Sequence, residues 1–408
     1  MTNNQPMSAT PGAARRTVAL GIDRLLGADR RLVKGRRVGV VCNPASVDAS
    51  FRHTADRLVQ DDVQDDGVTV AALFGPQHGF RSDLQDNMIE SPHARDARRQ
   101  VPIFSLYSET REPTADMLRG IDVLVIDLQD VGTRVYTYVY TMANCMRAAA
   151  RHAVPVVVCD RPNPVGGDDV EGNLLQAPYT SFVGQFPIPL RHGMTIGELA
   201  RLFNDAFGIG ASLDVVPLEG WQRSMYYDET GVPWIIPSPN LPTLDSAIVY
   251  PGAVLFEGTG LSEGRGTTRP FELIGAPWID GERLADAMNE RGLPGVHFRP
   301  AFFEPTFQKH ARQTCGGCQL HVLDRRAFRP VRAAVELMAE FRRQDPARFP
   351  WREPPYEYEH DKQPIDILYG SDRLRATLDA GGDVGALVAS WAPEEEAFRR
   401  TREKYLLY

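Results

Sequence analysis

The sequence predicts an α/β protein with a doubly wound parallel sheet and a second, smaller α+β domain. Short apolar runs alternate with helical patterns from about Gly21, and each run is apolar at consecutive positions. Such runs are typical of strands buried on both faces of a parallel sheet. Regular periodicity then stops in a Pro/Gly-rich stretch at 231–266. The chain has 408 residues, which is longer than a single hydrophobic core usually supports. This length favours two domains.

The elements follow in chain order. Strands are predicted at 38–42, 68–74, 101–106, 123–127 and 154–159. Helices are predicted at 138–152 and 195–207, the second opened by Thr195 and Glu198 in a capping box. After the irregular stretch, helices are expected at 280–291 and 331–344. We therefore predict a disordered lead over 1–20, a first domain over 21–245 and a second over 246–408.

Composition excludes several partners. A net charge of -8 provides no basic surface for nucleic acid. No apolar run is long enough for a membrane span, and the N-terminus lacks the apolar region of a signal peptide. We therefore expect a cytoplasmic protein that binds neither nucleic acid nor membrane. The oligomeric state stays open, with a homodimer as one option.

The cysteines and glycines predict neither a metal nor a nucleotide. Cys315 and Cys318 have CxxC spacing, but a zinc site needs four ligands and no second CxxC exists. Free thiols in a turn are expected there. No GxGxxG motif follows the first strand, where Asn43 and Pro44 stand instead, and P-loop and GxSxG motifs are absent. We predict no cofactor.

Polar residues follow four of the predicted strands. In an open parallel sheet, ligands bind beyond the carboxyl ends of the strands, so these groups should converge. Each residue alone could equally be a helix cap or a turn residue. The four groups are Asn43, Gln77 with His78, Asp127 and Asp130 with Arg134, and Asp160 with Asn163.

Two later segments are also dense in polar side chains. Arg191 and His192 precede a predicted helix. Glu257, Glu263 and Arg265 lie among glycines, which let the backbone approach a ligand while the arginine offers a planar fork to a carboxylate. A flexible loop with solvated charges is the alternative. We favour a binding site because Thr, Ser and Glu are interleaved with the glycines.

Six motifs closely resemble the exo-β-N-acetylmuramidases, over about Gly21 to Tyr408. The motifs are LFGPQHGF at 73–80, DLQDVGTRVYTY at 127–138, DRPNPVGG at 160–167, RHGMT at 191–195, PSPNLP at 237–242 and FEGTGLSEGRGT at 256–267. The resemblance implies a Rossmann-like catalytic domain without a nucleotide and a smaller domain that closes a substrate cleft. It also implies an exo-acting glycoside hydrolase that releases terminal β-1,4-linked N-acetylmuramic acid from peptidoglycan fragments.

One motif departs from the family. Its usual form is Gly-Pro-Glu-His-Gly, whereas this chain has Gln77 at the glutamate position. An amide cannot exchange a proton as a carboxyl does, so another carboxylate must act if the chain is catalytic. We expect Glu263, with Asp127, Asp130 or Glu90 as its partner. Glu257 is a further alternative.

Substrate-binding residues are expected among the remaining motif positions. Arg265, Arg134 and Arg191 are candidates for the lactyl carboxylate of muramic acid. The candidates for the sugar itself are Gln77, His78, His192, Asn163, Asn240 and Glu257. Two alternatives remain: a non-catalytic amino-sugar-binding protein, and a hydrolase of another acidic sugar.

Overall fold

The computed structural model of the chain describes residues 17–60, 66–86 and 88–408. The strands are β1 (Arg37–Val41), β2 (Thr69–Gly75), β3 (Ala94–Arg95), β4 (Pro102–Ser105), β5 (Val123–Ile126), β6 (Val156–Cys159), β7 (Glu171–Leu174), β8 (Pro189–Arg191), β9 (Leu213–Val216), β10 (Leu273–Ala276), β11 (Val296–Phe303) and β12 (Cys315–Val322). The α-helices are α1 (Gly21–Leu26), α2 (Thr54–Gln60), α3 (Ala115–Leu118), α4 (Tyr138–Arg151), α5 (Ile196–Asp205), α6 (Leu244–Ala253), α7 (Gly281–Glu290), α8 (Pro330–Gln344), α9 (Pro364–Tyr369), α10 (Arg373–Asp379), α11 (Val384–Ala389) and α12 (Ala392–Arg402).

The main sheet has seven strands in the order β3-β4-β2-β1-β5-β6-β9. All its pairings are parallel except β3 with β4. The six parallel strands therefore follow the Rossmann order 3-2-1-4-5-6, and the order reverses between β1 and β5. The predicted α/β class is confirmed. Ligand sites of such sheets lie beyond the strand ends at this reversal.

The five predicted strands all form. In β5 and β6, every residue is buried, as consecutive apolar positions require in a sheet covered on both faces. The main sheet has two further strands that were not predicted. The edge strand β3 has only two residues, both exposed, and β9 alternates apolar residues with Asp214, so neither shows a continuous apolar run.

The predicted helices form with small shifts at their ends. Helix α5 begins after Thr195, whose hydroxyl accepts from the Glu198 N–H at 3.2 Å, while the Glu198 carboxylate accepts from the Thr195 N–H at 3.0 Å. This is the predicted capping box. The Pro/Gly-rich stretch was expected to lack regular structure, but α6 lies within it. Its residues are apolar along almost the whole helix, so no helical periodicity marks it.

The smaller domain contains a three-stranded antiparallel sheet in the order β10-β12-β11. Cys315 and Cys318 lie on β12 and not in a turn, because Cys318 pairs with Ile274 of β10. Both thiols are free and buried, as are the other three cysteines. The prediction that these cysteines lie in a turn is therefore wrong.

The N-terminal end of the described chain packs against the main sheet domain. Residues 17–20 belong to the fold, since Val18 donates its N–H to the Thr230 carbonyl and Leu20 is buried. The rest of the predicted disordered lead lies outside the described residues. Within the described ranges, no helix combines the length and apolar character that crossing a membrane requires.

Candidate active site

A pocket of about 480 Å³ opens between the carboxyl ends of the main sheet and the smaller domain. Five aromatic rings and several polar side chains line the pocket. The lining residues are Gln77, His78, Val135, Tyr136, Thr137, Tyr138, Val183, Ser238, Asn240, Leu241, Tyr250, Val254, Glu257, Arg265, Phe271, Tyr356 and Glu357.

His78 lies just beyond the end of β2 with a positive φ of 69°, a strained conformation that often marks functional sites. Its Nδ1 lies 2.7 Å from the Leu84 carbonyl, and its Nε2 lies 3.2 Å from the Ser238 hydroxyl. Burial, together with the charge of Arg265, lowers the pKa of His78 to about 4. The imidazole is therefore neutral near pH 7.

Gln77 connects the main sheet to the smaller domain. The Thr137 hydroxyl donates to Gln77 Oε1 at 2.7 Å, which turns the amide nitrogen of Gln77 toward Glu357. Gln77 Nε2 donates to Glu357 Oε1 at 3.2 Å, and the Tyr107 hydroxyl donates to Glu357 Oε2 at 2.7 Å. The Glu357 carboxyl is thus held by two neutral donors.

Glu357 enters the pocket from a tight turn. The backbones of Tyr356 and Glu359 exchange hydrogen bonds at 3.0 and 2.9 Å, and the central residues Glu357 and Tyr358 have φ values of 45° and 68°. Two positive φ values in succession are typical of a type I′ turn, which usually holds Asn or Gly. A glutamate and a tyrosine there carry backbone strain, as functional sites often do.

A second carboxylate, Glu257, lines the same pocket in a charged cluster. Arg265 Nη2 donates to Glu257 Oε1 at 2.6 Å, and the Tyr356 hydroxyl donates to Glu257 Oε2 at 2.8 Å. Behind them, Glu263 lies 3.2 Å from Arg265 Nε and accepts from Lys309 Nζ at 2.8 Å. Two carboxylates therefore hold one arginine at the pocket wall.

The environments of Glu257 and Glu357 push their pKa values apart. Burial alone would raise the pKa of Glu257, but the charge and hydrogen bond of Arg265 lower it below its ordinary value. Burial raises the pKa of Glu357, the charge of Glu257 adds to this, and the hydrogen bonds from Tyr107 and Gln77 offset it only partly. Such a divided pair is typical of acid and base assignments in enzymes.

Among the unpartnered buried polar atoms of the pocket-lining residues, one on Asn240 and one on Arg265 suit a ligand. Asn240 Nδ2 donates to the Gln85 carbonyl at 2.7 Å, but its Oδ1 has no hydrogen-bond partner among the described residues. Arg265 Nη1 likewise has none in that part of the chain. Because buried polar groups are normally paired, these atoms favour a ligand that brings a donor to Asn240 and an acceptor to Arg265.

Five of the predicted site residues line the pocket, and two lie close to it. Glu263 stands behind Arg265, as described above. Glu90 has a side chain that is 52% exposed, accepts from the Tyr358 hydroxyl at 3.3 Å and lies 4.0 Å from Arg111 Nη2. The five in the lining are Gln77, His78, Asn240, Glu257 and Arg265.

Asp127 and Asp130 lie outside the pocket lining. Asp127 forms a buried bidentate pair with Arg161, at 2.5 and 2.9 Å, and accepts a hydrogen bond from Thr54. Asp130 accepts from the Gly132 N–H at 2.8 Å, and its Oδ2 lies 3.3 Å from His192 Nε2. These carboxylates hold the strand ends and loops together.

Arg134, Asn163, Arg191 and His192 also lie outside the lining. Arg134 is fully buried and donates to four backbone carbonyls, two of them in α9. Asn163 donates to the Met194 carbonyl at 2.9 Å, and His192 accepts from the Met194 N–H at 3.1 Å. Arg191 donates to the Val165 carbonyl and faces a separate pocket. Their present partners are structural.

Sequence reasoning missed Glu357, Tyr107 and Lys309. Glu357 lies in the run Tyr356-Glu357-Tyr358, within a C-terminal region that is distinguished in the sequence only by its many charged residues. An acidic residue between two aromatics after Pro354-Pro355 was the available signal. Tyr107 and Lys309 carry no motif, because they reach the site only through the fold. Within the described residues, no group of three or more His, Cys, Asp or Glu side chains could hold a metal ion.

Comparison with known proteins agrees with the motifs. The models of the N-terminal and C-terminal parts of the exo-β-N-acetylmuramidase NamZ match residues 38–245 and 248–408. The peptidoglycan β-N-acetylmuramidase NamZ of Bacillus subtilis (strain 168) is 43% identical over 403 residues, which cover 99% of this chain and 94% of the relative. Two crystal structures of DUF1343 family proteins from Bacteroides fragilis NCTC 9343 superpose with TM-scores of 0.86 and 0.73, at 36% and 28% identity. Each superposition covers 96% of this chain and 99% of the chain in the solved structure. The chain belongs to the exo-β-N-acetylmuramidase family.

Proposed function

We propose that this protein is an exo-acting glycoside hydrolase that releases terminal β-1,4-linked N-acetylmuramic acid from peptidoglycan fragments. The match to the family over nearly the whole chain carries this proposal. The pocket supports it, because residues from both halves of the chain line it.

The pocket chemistry suits an acidic N-acetyl sugar. Arg265 Nη1, buried and without a partner among the described residues, is our candidate for the lactyl carboxylate. Asn240 Oδ1 is free to accept from the acetamide N–H or a hydroxyl, within the same described part of the chain. The aromatic residues Tyr136, Tyr250 and Phe271 cover the apolar faces of the sugar. Glu263 serves this site by holding Arg265.

Turnover of defined substrates tests the proposal. Purified protein should release N-acetylmuramic acid from an aryl β-N-acetylmuramide and from a disaccharide with muramic acid at its non-reducing end, and should not cut polymeric glycan internally. The matched control is the aryl β-N-acetylglucosaminide, which lacks only the lactyl group. Equal turnover of both aryl glycosides would contradict the assignment of Arg265, and binding without turnover would support the non-catalytic alternative.

We further propose that the protein works in the cytoplasm. All five cysteines are free thiols, which persist in reducing compartments. Cell fractionation with an antibody against the chain tests this, since the protein should follow a cytoplasmic marker enzyme. Its recovery with secreted proteins would overturn this proposal without affecting the proposed activity.

A further inference from the structure

We propose that Glu357 is the general acid of this reaction and protonates the oxygen of the leaving sugar. The inference rests on the proposed function, because it assigns a residue within the same site. A glycosidase needs an acid at the leaving oxygen, and Gln77 cannot be that acid because an amide does not release a proton in this way. Glu357 is the carboxyl to which Gln77 donates its hydrogen bond.

The first argument is the way in which the carboxyl is held. Glu357 is only 3% exposed, yet it lies at the centre of a strained turn that directs its side chain into the pocket. Tyr107 and Gln77 fix one carboxyl oxygen each. An acid must be held in a defined position relative to the bond that it protonates, and this arrangement provides that.

The second argument compares Glu357 with Glu257. Glu257 accepts from the Arg265 guanidinium at 2.6 Å, so its charge is compensated and it suits the ionised role. The hydrogen-bond donors of Glu357 are an amide and a phenol, both neutral, and its burial disfavours the charged form. Of the two carboxyls in the pocket lining, Glu357 is therefore the one better suited to hold a proton.

The third argument is that the turn which carries Glu357 into the pocket lining also reaches the protein surface. Its chain neighbour Tyr358 is 45% exposed and packs over Arg111, with the guanidinium carbon 4.5 Å from the ring centroid. In an exo-acting enzyme, the terminal sugar fills the enclosed pocket and the leaving sugar lies toward solvent. The bond between them then lies between the pocket and solvent, and Glu357 shares the centre of its turn with the exposed Tyr358.

The proposed step balances. The proton of the Glu357 carboxyl moves to the glycosidic oxygen as the bond from C1 to that oxygen breaks, and the bonding electron pair leaves with the oxygen. The leaving sugar departs with a free hydroxyl group. Water later forms the new bond to C1 and gives up one proton, which restores the Glu357 carboxyl. No other reactant is required.

The test is the dependence of Glu357→Gln on the leaving group. Gln has nearly the same size as Glu and can still accept from Tyr107, but it cannot donate a carboxyl proton. For the disaccharide, whose leaving alcohol needs a proton, kcat/KM should fall by about 10²- to 10⁴-fold. For a 4-nitrophenyl β-N-acetylmuramide, whose leaving group departs unprotonated, it should fall by roughly tenfold or less. With the disaccharide, the wild type should lose activity toward high pH as the acid ionises, and this loss should disappear in the variant.

Glu359→Gln is the matched control. Glu359 closes the same turn but pairs with Lys362 at 3.2 Å, outside the pocket lining, so its change should leave both substrates unaffected. Thermal unfolding of both variants would verify their folding. An equal loss on both substrates, or no loss on either, would overturn the assignment of Glu357. Wild-type protein that hydrolyses neither substrate would instead overturn the proposed function.

Discussion

Gln77 Nε2 donates to Glu357 Oε1 at 3.2 Å, which joins two residues 280 positions apart in the chain. The bond connects the end of β2 to the turn at 356–359 and so crosses from the main sheet to the smaller domain. Because Gln77 is fixed on its other side by Thr137, the amide can only donate to Glu357. The side chain at position 77 therefore influences both the position and the protonation of Glu357.

Replacement of Gln77 by glutamate should change the pH dependence of turnover. Gln77→Glu places a second carboxyl beside Glu357, and two adjacent carboxyls resist ionising together. The high-pH limb of kcat/KM for the disaccharide should then move upward by about one pH unit or more. The control Gln100→Glu adds the same charge at an exposed position outside the pocket lining and should leave the profile unchanged. An unaltered profile in Gln77→Glu would show that the two side chains are not coupled.

Removal of the Tyr107 hydroxyl should also move the high-pH limb of kcat/KM to higher pH. The hydrogen bond from Tyr107 lowers the pKa of Glu357, so Tyr107→Phe should raise that pKa and extend activity to higher pH. The measurement is kcat/KM across pH. Tyr405→Phe is the matched control, because Tyr405 donates to Asp205 away from the pocket lining. A limb that moves to lower pH in Tyr107→Phe would contradict the assigned acid.

The main sheet could be predicted from sequence for a physical reason. Strands buried on both faces must be apolar at every position, and the runs at β5 and β6 are therefore visible without any partner. The same logic fails for α6, where apolar residues on all sides leave no periodicity, and for the short edge strands β3 and β9.

The candidate site could be predicted only in part. Glu257 and Arg265 stand in one glycine-rich segment, and Gln77 and His78 follow a strand, so local patterns indicated them. Glu357 joins them through a turn near the end of the chain, and no local pattern reports a contact across 280 positions. A polar residue after a strand also does not reveal its partner. Asp127 meets Arg161, and this partner makes it structural.

Asp127 should matter for stability more than for catalysis. Asp127→Asn would leave the guanidinium of Arg161 buried without a counter-charge, which costs about 3–5 kcal/mol. Urea unfolding should detect this loss, while kcat of the folded fraction changes little. Asp122→Asn, which breaks the exposed pair with Arg37, is the control and should lose far less. A stable but inactive Asp127→Asn protein would restore Asp127 as a catalytic candidate.

Glu263 should affect substrate binding more than kcat. Glu263 lies 3.2 Å from Arg265 Nε and accepts from Lys309, so Glu263→Gln should loosen Arg265 and weaken its hold on the lactyl carboxylate. Loss of a hydrogen bond to a charged group predicts a KM roughly 10- to 100-fold higher. Glu340→Gln removes a comparable buried ion-pair carboxylate far from the pocket lining and is the control. A fall in kcat of about 10²- to 10⁴-fold, with unchanged KM, would instead support Glu263 as a catalytic carboxylate.

Tyr358 should contribute to binding of the leaving sugar. Its ring is held by Arg111 on one side and by the edge of Tyr107, with ring centroids 6.1 Å apart, while 45% of the residue remains exposed. If the leaving sugar stacks on this ring, Tyr358→Ala should weaken the binding free energy of the disaccharide by about 0.5–1.5 kcal/mol. This change corresponds to a KM roughly two- to tenfold higher.

The aryl β-N-acetylmuramide separates this contribution from a general disturbance of the turn. Its leaving group is not a sugar, so its kcat/KM should change little if Tyr358 acts only on the leaving sugar. Tyr358→Phe keeps the ring but removes the hydroxyl that donates to Glu90 at 3.3 Å, and should behave like the wild type. If Tyr358→Ala slows both substrates equally, the tyrosine supports the position of Glu357 instead, because the two residues share the centre of one strained turn.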